Sequence, residues 1–298
     1  MSDGRLAGWR SARRGVEGRT HRSRVPCPAA MLLACVAACG GAKADGAYEL
    51  GHGYDLGPFN FAGYADVVGS VPDEGRKALT LEDLSLFVSG HVGRLLNPFM
   101  EAEFTGYDIV PSDAFRGDRG DGALVLERLY DDVDLSDSLT FRFGKMLAPV
   151  GEWNVIHAAP LVLTTVRPAV TYRDFSEYLT GFSLLYSDSD RNLPDLQLYW
   201  QPAGEFSERP GSIAFDQYRS VAGLHVSFPL SLLDQVGLSF QEAEDRRGIT
   251  YARGCSDSQD TIRRLTLQGE VTYSDLAGRT SDLSRRKEWG AYAAASYA

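Results

Sequence analysis

The sequence predicts an all-β chain: an antiparallel up-and-down sheet forming a transmembrane β-barrel, or most of one. Three observations lead there. Short segments alternate apolar and polar residues with a period of two. The gaps between them alternate long and short, as outer loops and inner turns do in a sheet threaded up and down through a membrane. The N-terminal residues are laid out as an export signal. Composition leaves this fold open: no apolar run approaches the ~20 residues of a membrane-spanning helix. A mean hydropathy of −0.21 with 44% hydrophobic residues suits strands that carry lipid-facing residues only at alternate positions.

Residues 1–44 read as a signal rather than as part of the fold. Arg5, Arg10, Arg13, Arg14, Arg19, Arg22 and Arg24 precede an apolar segment from Val25 to about Gly41, and Ala42-Lys43-Ala44 then gives an A-x-A cleavage site. That layout implies export through the Sec pathway. A second reading stands beside it, because Val36-Ala37-Ala38-Cys39 fits the pattern before a lipidated cysteine. Cleavage after Ala44 leaves Cys255 as the one cysteine, so the mature chain has no intramolecular disulfide and no cysteine metal cluster. It also leaves 22 Lys and Arg against 38 Asp and Glu. So acidic a chain argues against nucleic acid as a partner.

Residues 45–58 are Gly-rich and mixed, a periplasmic lead-in, and residues 59–298 make the barrel domain. The alternation places strands at Phe59 to Val68, Leu79 to His91, Pro98 to Tyr107, Gly122 to Asp134, Leu139 to Met146 and Leu179 to Ser187. Further strands follow at Asp195 to Gln201, Arg219 to Phe228, Gln235 to Glu244, Ile262 to Asp275 and Lys287 to Tyr297. In the second, Leu84, Leu86 and Val88 oppose Asp83, Ser85, Phe87 and Ser89. In the fifth, Leu139, Phe141 and Phe143 oppose Thr140, Arg142 and Gly144. In the tenth, Leu265, Leu267, Gly269, Val271 and Tyr273 oppose Arg264, Thr266, Gln268, Glu270 and Thr272. A charged row must meet water, which in a barrel fills the lumen. Tyr107, Tyr130, Tyr186, Tyr199, Trp200, Tyr273, Trp289 and Tyr297 fall near strand ends, as interfacial girdles require.

Two gaps break the pattern. About thirty residues separate Met146 from Leu179, an apolar, Pro-punctuated excursion too long for a hairpin turn and expected to fold into or across the lumen. The last gap, between Asp275 and Lys287, should be short and is not, so one strand is missing from this assignment or the final ones are displaced. Eleven strands is also an odd number, while single-chain bacterial barrels are even; the chain thus reads as lacking closing strands.

No catalytic constellation emerges, and no cofactor or metal is called for. His52, His91, His157 and His225 are scattered without metal-ligand spacing. Asp113, Asp118 and Asp121 could offer oxygen ligands to Ca²⁺, but Arg116 and Arg119 interrupt them, and a solvated outer loop is the plainer reading. What a pore requires is a charged constriction. Its candidates are Arg128 and Arg142 on lumen-facing positions, Lys145 at the rim, and Arg167, Arg173, Asp174 and Glu177 in the excursion. Arginine there suits anions, phosphate above all, through bidentate hydrogen bonds. The competing reading pairs these cations with Glu101, Glu103, Glu127 and Asp131 across the wall to hold the excursion.

The segments LEDLSLFVSG, LVLERLYDDVDLSDSLTFRFGKMLAPVGEWN, HAAPLVLTTVRP, TGFSLLY and KEWGAYAAASY, in this order, resemble bacterial outer-membrane porins of the phosphate-selective porin O and P type. The resemblance covers most of the mature chain and implies a sixteen-stranded barrel, often a homotrimer, inserted into outer-membrane lipid by the barrel-assembly machinery. It further implies passive diffusion of small hydrophilic solutes past a third outer loop bent into the pore. The excursion after Met146 is the third long gap. The chain departs from the family in ending Tyr297-Ala298, where the family's last residue is aromatic. Two other functions stand against this one: a non-conducting outer-membrane or lipid-anchored β protein with a structural or binding role, and an outer-membrane hydrolase, which lacks a Ser-His pairing.

Overall fold

The computed structural model describes residues 52–70, 78–111, 120–155, 170, 175–188, 193–207, 218–231, 234–246, 248–277 and 287–297. The signal expected over residues 1–44, with Cys39, lies outside them. The described residues form thirteen strands: β1 (Tyr54–Leu56), β2 (Phe59–Ser70), β3 (Ala78–Gly90), β4 (Asn97–Pro111), β5 (Asp121–Asp134), β6 (Leu139–Leu147), β7 (Tyr178–Tyr186), β8 (Asp195–Gln201), β9 (Tyr218–Pro229), β10 (Gln235–Asp245), β11 (Thr250–Ile262), β12 (Leu265–Ala277) and β13 (Lys287–Tyr297). They lie in one sheet in sequence order, each antiparallel to the next. This is the up-and-down architecture the alternation predicts. The sheet is open, with β1 and β13 at its two edges.

Period two sorts the side chains onto two faces. On one, ladder partners form apolar rows: Leu84, Phe104 and Leu124 across β3, β4 and β5, and Phe143, Phe182 and Trp200 across β6, β7 and β8. A longer row runs through Leu184, Leu198, Leu224, Phe240, Gly254, Tyr273 and Trp289. Leu124 is 53% exposed, Trp200 54% and Trp289 78%. The other face carries Ser85, Glu101, Ser183, Ser239, Gln241, Asp257, Glu270 and Thr272, every one of them buried. A water-soluble sheet of this kind would have these two sets exchanged.

The excursion between β6 and β7 lies against the polar face. Its stem residues Ala148, Val150 and Phe175 pack with Met146, Leu179, Tyr218, Val221 and Ile249. Further along, the amides of Glu152 and Trp153 donate to Glu270 Oε1 on β12 at 2.5 and 3.2 Å. Gly290 of β13 leaves room for Val170, which a Cβ there would meet at 2.8 Å. One excursion can touch β10, β12 and β13 only if the polar face is concave.

Three expectations need correction. The missing strand is β11, assigned from sequence to a long loop after Glu244. Its convex positions are Ala252, Gly254, Ser256, Ser258 and Asp260, too small or too polar to show an apolar row. Restoring it accounts for the irregular last gap, because β12 and β13 are joined by residues 278–286 on the long-loop side. Tyr54–Leu56, placed in the lead-in, also pairs as β1 with β2. Tyr130 and Tyr199 are concave-face residues rather than girdle aromatics; Tyr199 is buried, and its hydroxyl accepts from Gln241 Nε2 at 3.5 Å.

Two positions give direct tests of this architecture. Gly144 in β6 has φ +126°, and a Cβ there would stand 2.2 Å from the Leu129 carbonyl oxygen on β5. Gly144→Ala is expected to lower unfolding stability in detergent by about 1–3 kcal/mol, measured by urea titration of tryptophan fluorescence. In the turn between β9 and β10, hydrogen bonds from the Ser231 hydroxyl and then the Thr261 amide hold the Asp234 carboxyl below the usual carboxylate range. A lowered folded-state pKa stabilises above the unfolded value, and that contribution disappears as pH falls through the folded one. Asp234→Asn should thus be less stable than the native chain at neutral pH. The gap should close on acidification, as read by the same titration.

Candidate functional site

The concave wall of β2 to β5 carries a row of rings. Tyr64 and Phe87 have centroids 5.9 Å apart, Phe87 and Phe99 6.3 Å, and Phe99 and Tyr130 5.2 Å. On this row lie the two arginines that the alternation placed toward the lumen. Arg128 sits 4.5 Å over Phe99, and its Nε donates to Glu101 Oε2 at 2.5 Å. Arg142 sits 4.0 Å over Tyr130 and grips Asp132 with both Nε and Nη2, at 2.7 and 2.8 Å. A guanidinium so held is fixed in plane by its carboxylate and in height by the ring beneath it. Both lie on the concave face, and both already have a counter-charge.

The partners differ from those the sequence suggests. Glu101 does pair with an arginine, but Asp131 accepts the Asn97 amide at 2.8 Å, and its neighbour Asp132 takes Arg142. The two aspartates sit on opposite faces of β5, so a shift of one residue changes the assignment completely. Glu103 and Glu127 are buried. Lys145, expected at the rim, is instead 2% exposed: its ammonium contacts Glu205 Oε1 at 2.8 Å and donates to the Ser207 carbonyl at 2.7 Å. The segment after β8 also reaches Thr180 and the Leu126 amide, covering the top of β5 to β7. A cation so enclosed is not offered to a solute.

Of the excursion candidates, Glu177 is described, and its carbonyl accepts from the Ala148 amide at 2.9 Å across the stem. Arg167, Arg173, Asp174 and His157 lie outside the described residues, as do Asp113, Arg116, Asp118 and Arg119. The stem is tied by buried Asn154, whose Nδ2 donates to the carbonyls of Ala148 at 2.7 Å and of Ser176 and Glu177 at 3.4 Å.

One cluster was missed from sequence. Glu152, at the tip of the described stem, accepts from Gln235 Nε2 at 2.7 Å and offers its amide to Glu270, which pairs directly with Asp257 on β11. Three carboxylates thus converge where the excursion meets the wall. Asp257 fell in the strand that the sequence hides, so no signal placed it beside Glu270. Above them on the same face of β11, Arg253 bonds to the Tyr218 hydroxyl and lies 4.3 Å over the Tyr251 ring. His225 Nδ1 stands 2.8 Å from Ser239 Oγ, but Ser239 is buried beneath the excursion and receives the Gly151 amide. That is the position of an anchor, not of an exposed nucleophile. Among the described residues, no grouping of His, Cys, Asp and Glu is arranged to hold a metal.

No protein-family model matches the chain, and no curated protein is similar to it. Solved structures with a similar chain path include trimeric OmpT, an outer-membrane protein of Vibrio cholerae (TM-score 0.49, 12% identity, 75% of this chain and 67% of that one). OmpF of Salmonella typhi in complex with daunomycin follows (TM-score 0.48, 10% identity, 73% and 65%), then OccAB4 of Acinetobacter baumannii (TM-score 0.45, 9% identity, 80% and 63%). The chain spans about two thirds of their length.

The stem makes the excursion's position testable. Asn154→Ala removes the side-chain donor that ties these carbonyls together; those of Ala148 and Glu177 keep the Val150 and Ala148 amides, so the loss falls mainly on the Ser176 carbonyl and on the tie itself, at a cost of about 1–3 kcal/mol. Tryptic cleavage after Arg167 and Arg173 should then accelerate in the folded protein while strand content by circular dichroism stays unchanged.

Proposed function

We propose that this chain is an outer-membrane channel for passive diffusion of small hydrophilic solutes, exported through the Sec pathway and freed of its signal after Ala44. The observation that carries this reading is the row from Leu184 to Trp289 on the convex face, set against carboxylates and amides on the concave one. Exposed apolar surface of that extent is foreign to a water-soluble monomer, whose largest patch is typically ~300–600 Å². It is what a bilayer demands of a sheet with all interior backbone groups paired. The concave face supplies the polar wall a water-filled path needs. In this reading the excursion forms the constriction, with Arg167, Arg173, Asp174 and Glu177 beside the path, and the protein assembles as a homotrimer.

Preference for phosphate is not carried into the proposal, because Arg128 and Arg142 are already engaged by Glu101 and Asp132. A second reading has one observation in its favour. The excursion's stem packs into a buried apolar cluster with the wall, which fits a plugged, non-conducting barrel as well as a narrowed one.

Conductance separates the two. The full chain refolded into planar bilayers should give steady, discrete steps, and Arg167→Glu with Arg173→Glu should change their size. Absence of steps from protein whose folding is verified by circular dichroism would favour the plug, and unchanged steps in the variant would remove the excursion from the constriction. An acylated Cys39, read from the mass of the N-terminal peptide, would instead indicate a β protein held through that residue.

A further inference from the structure

We propose that the half-buried rings of β2 to β5, with the guanidinium groups laid beside them, form a binding track for saccharides along the concave face. The inference rests on the channel reading above and adds the class of solute. The rings stand where none is expected. Tyr64, Phe87, Phe99 and Tyr130 lie on the face that the ladder turns toward water, although the convex face would take rings at no cost. They run in series from the middle of β2, where Tyr64 is opposite Ser85, to the short-turn end, where Phe99 is opposite Tyr130. Each is half-buried rather than enclosed, so each leaves apolar surface on the path.

The polar groups beside the rings differ from Lys145. That lysine's side chain is 1% exposed, whereas those of Arg128, Arg142 and Asp132 are 19%, 22% and 23% exposed. Their ion pairs use only part of each guanidinium. Arg128 commits Nε to Glu101, and Arg142 commits Nε and Nη2 to Asp132. Nη1 and Nη2 of Arg128, Nη1 of Arg142 and the Tyr130 hydroxyl meet no hydrogen-bond partner among the described residues, and all remain accessible to solvent. Donors thus stand open beside flat apolar surface.

The solute's properties follow. The two ion pairs cancel most of the charge, so a net anion is not what this wall selects. The rings call for an apolar face, whose removal from water is favourable in proportion to its area. The open N–H and O–H groups call for acceptors fixed around the rim of that face. A pyranose ring combines these features: its C–H face lies flat on an aromatic ring, and its hydroxyls point outward to the donors. An open-chain polyol has the hydroxyls without the face, and a phenyl compound has the face without the hydroxyls. Ring centroids in series, 5.9, 6.3 and 5.2 Å apart, let a short chain of sugars pass from one contact to the next instead of being held at one point, as conduction requires.

The test is calorimetric titration of the refolded full chain in detergent with maltotriose, sorbitol, benzamide and inorganic phosphate, beside interruption of single-channel current by the same solutes in planar bilayers. Maltotriose should bind and interrupt the current, with sorbitol and benzamide about tenfold weaker for want of the face or of the hydroxyls. Phe87→Leu should weaken maltotriose binding about three- to tenfold through the lost aromatic face. Arg128→Lys keeps the charge toward Glu101 but removes the fork, and should weaken it by about the same factor. Phe143→Leu on the convex face should leave binding unchanged. If Arg128→Lys does not refold, Phe87→Leu, which stays apolar, still reads the effect. Tighter binding of benzamide, equal binding of sorbitol, or block by phosphate in place of maltotriose would overturn the saccharide class. Maltotriose binding unmoved by Phe87→Leu and Arg128→Lys would overturn the track. Maltotriose that binds where no conductance steps appear would remove the channel and leave the track, and steps without maltotriose binding would do the reverse.

Discussion

The backbone ladder is the constraint on which the rest depends. Thirteen strands joined only to their sequence neighbours satisfy one another's amides and carbonyls across the sheet, leaving unpaired rows at β1 and β13. With the backbone so committed, the pleat alone decides which side chains share a face. Leu198, Leu224 and Phe240 are forced into one row, and Ser183, Ser239 and Gln241 are forced to the other side. Neither face can be exchanged without a slip of register that would turn every side chain over. The medium follows: the convex face must meet something apolar, and the concave one something polar.

The excursion depends on that second requirement. A thirty-residue connection could not lie on a dry concave face, because its own amides would go unmet. Here Ser239, Gln241 and Glu270 each accept a backbone amide from it, while Met146, Val150, Phe175 and Leu179 give the two ends of the stem an apolar core. Polar contacts fix its position and apolar ones fix its root. Gly144 belongs to the same arrangement, since its positive φ lets β6 press against β5 just before the chain turns inward.

Much of this was legible in the residues. Leu84, Leu86 and Val88 against Asp83, Ser85 and Phe87 gave the faces of β3 correctly, and the length of the segment after Met146 marked it as more than a hairpin. What stayed hidden had physical causes. β11 has a convex face of Ala252, Gly254, Ser256 and Ser258, and a rule that searches for large apolar residues at every second position finds nothing there. Lys145 could not be placed because the short β8 sends Glu205 and Ser207 back over it, a contact sixty residues away in sequence. Asp131 and Asp132 illustrate the limit of period-two reasoning: adjacent residues with the same chemistry have opposite roles, and only the ladder says which one meets Arg142.

The arginines bear most directly on function. Counted from the sequence, Arg128 and Arg142 argue for anions, and the acidity of the chain as a whole does not settle selectivity. Placed on the wall, each guanidinium is matched by a carboxylate and pressed onto a ring, so the charge that suggested phosphate does structural duty in joining β4 to β5 and β5 to β6. The rings gain from this as well, since a cation over Phe99 and Tyr130 lets apolar surface sit in a polar wall at little cost. On the far side of the wall an aspartate on β11 and a glutamate on β12 are brought together by the register and approached by a third carboxylate from the excursion. What an arginine can do for a solute is decided by the partners the ladder gives it rather than by the count of charged residues.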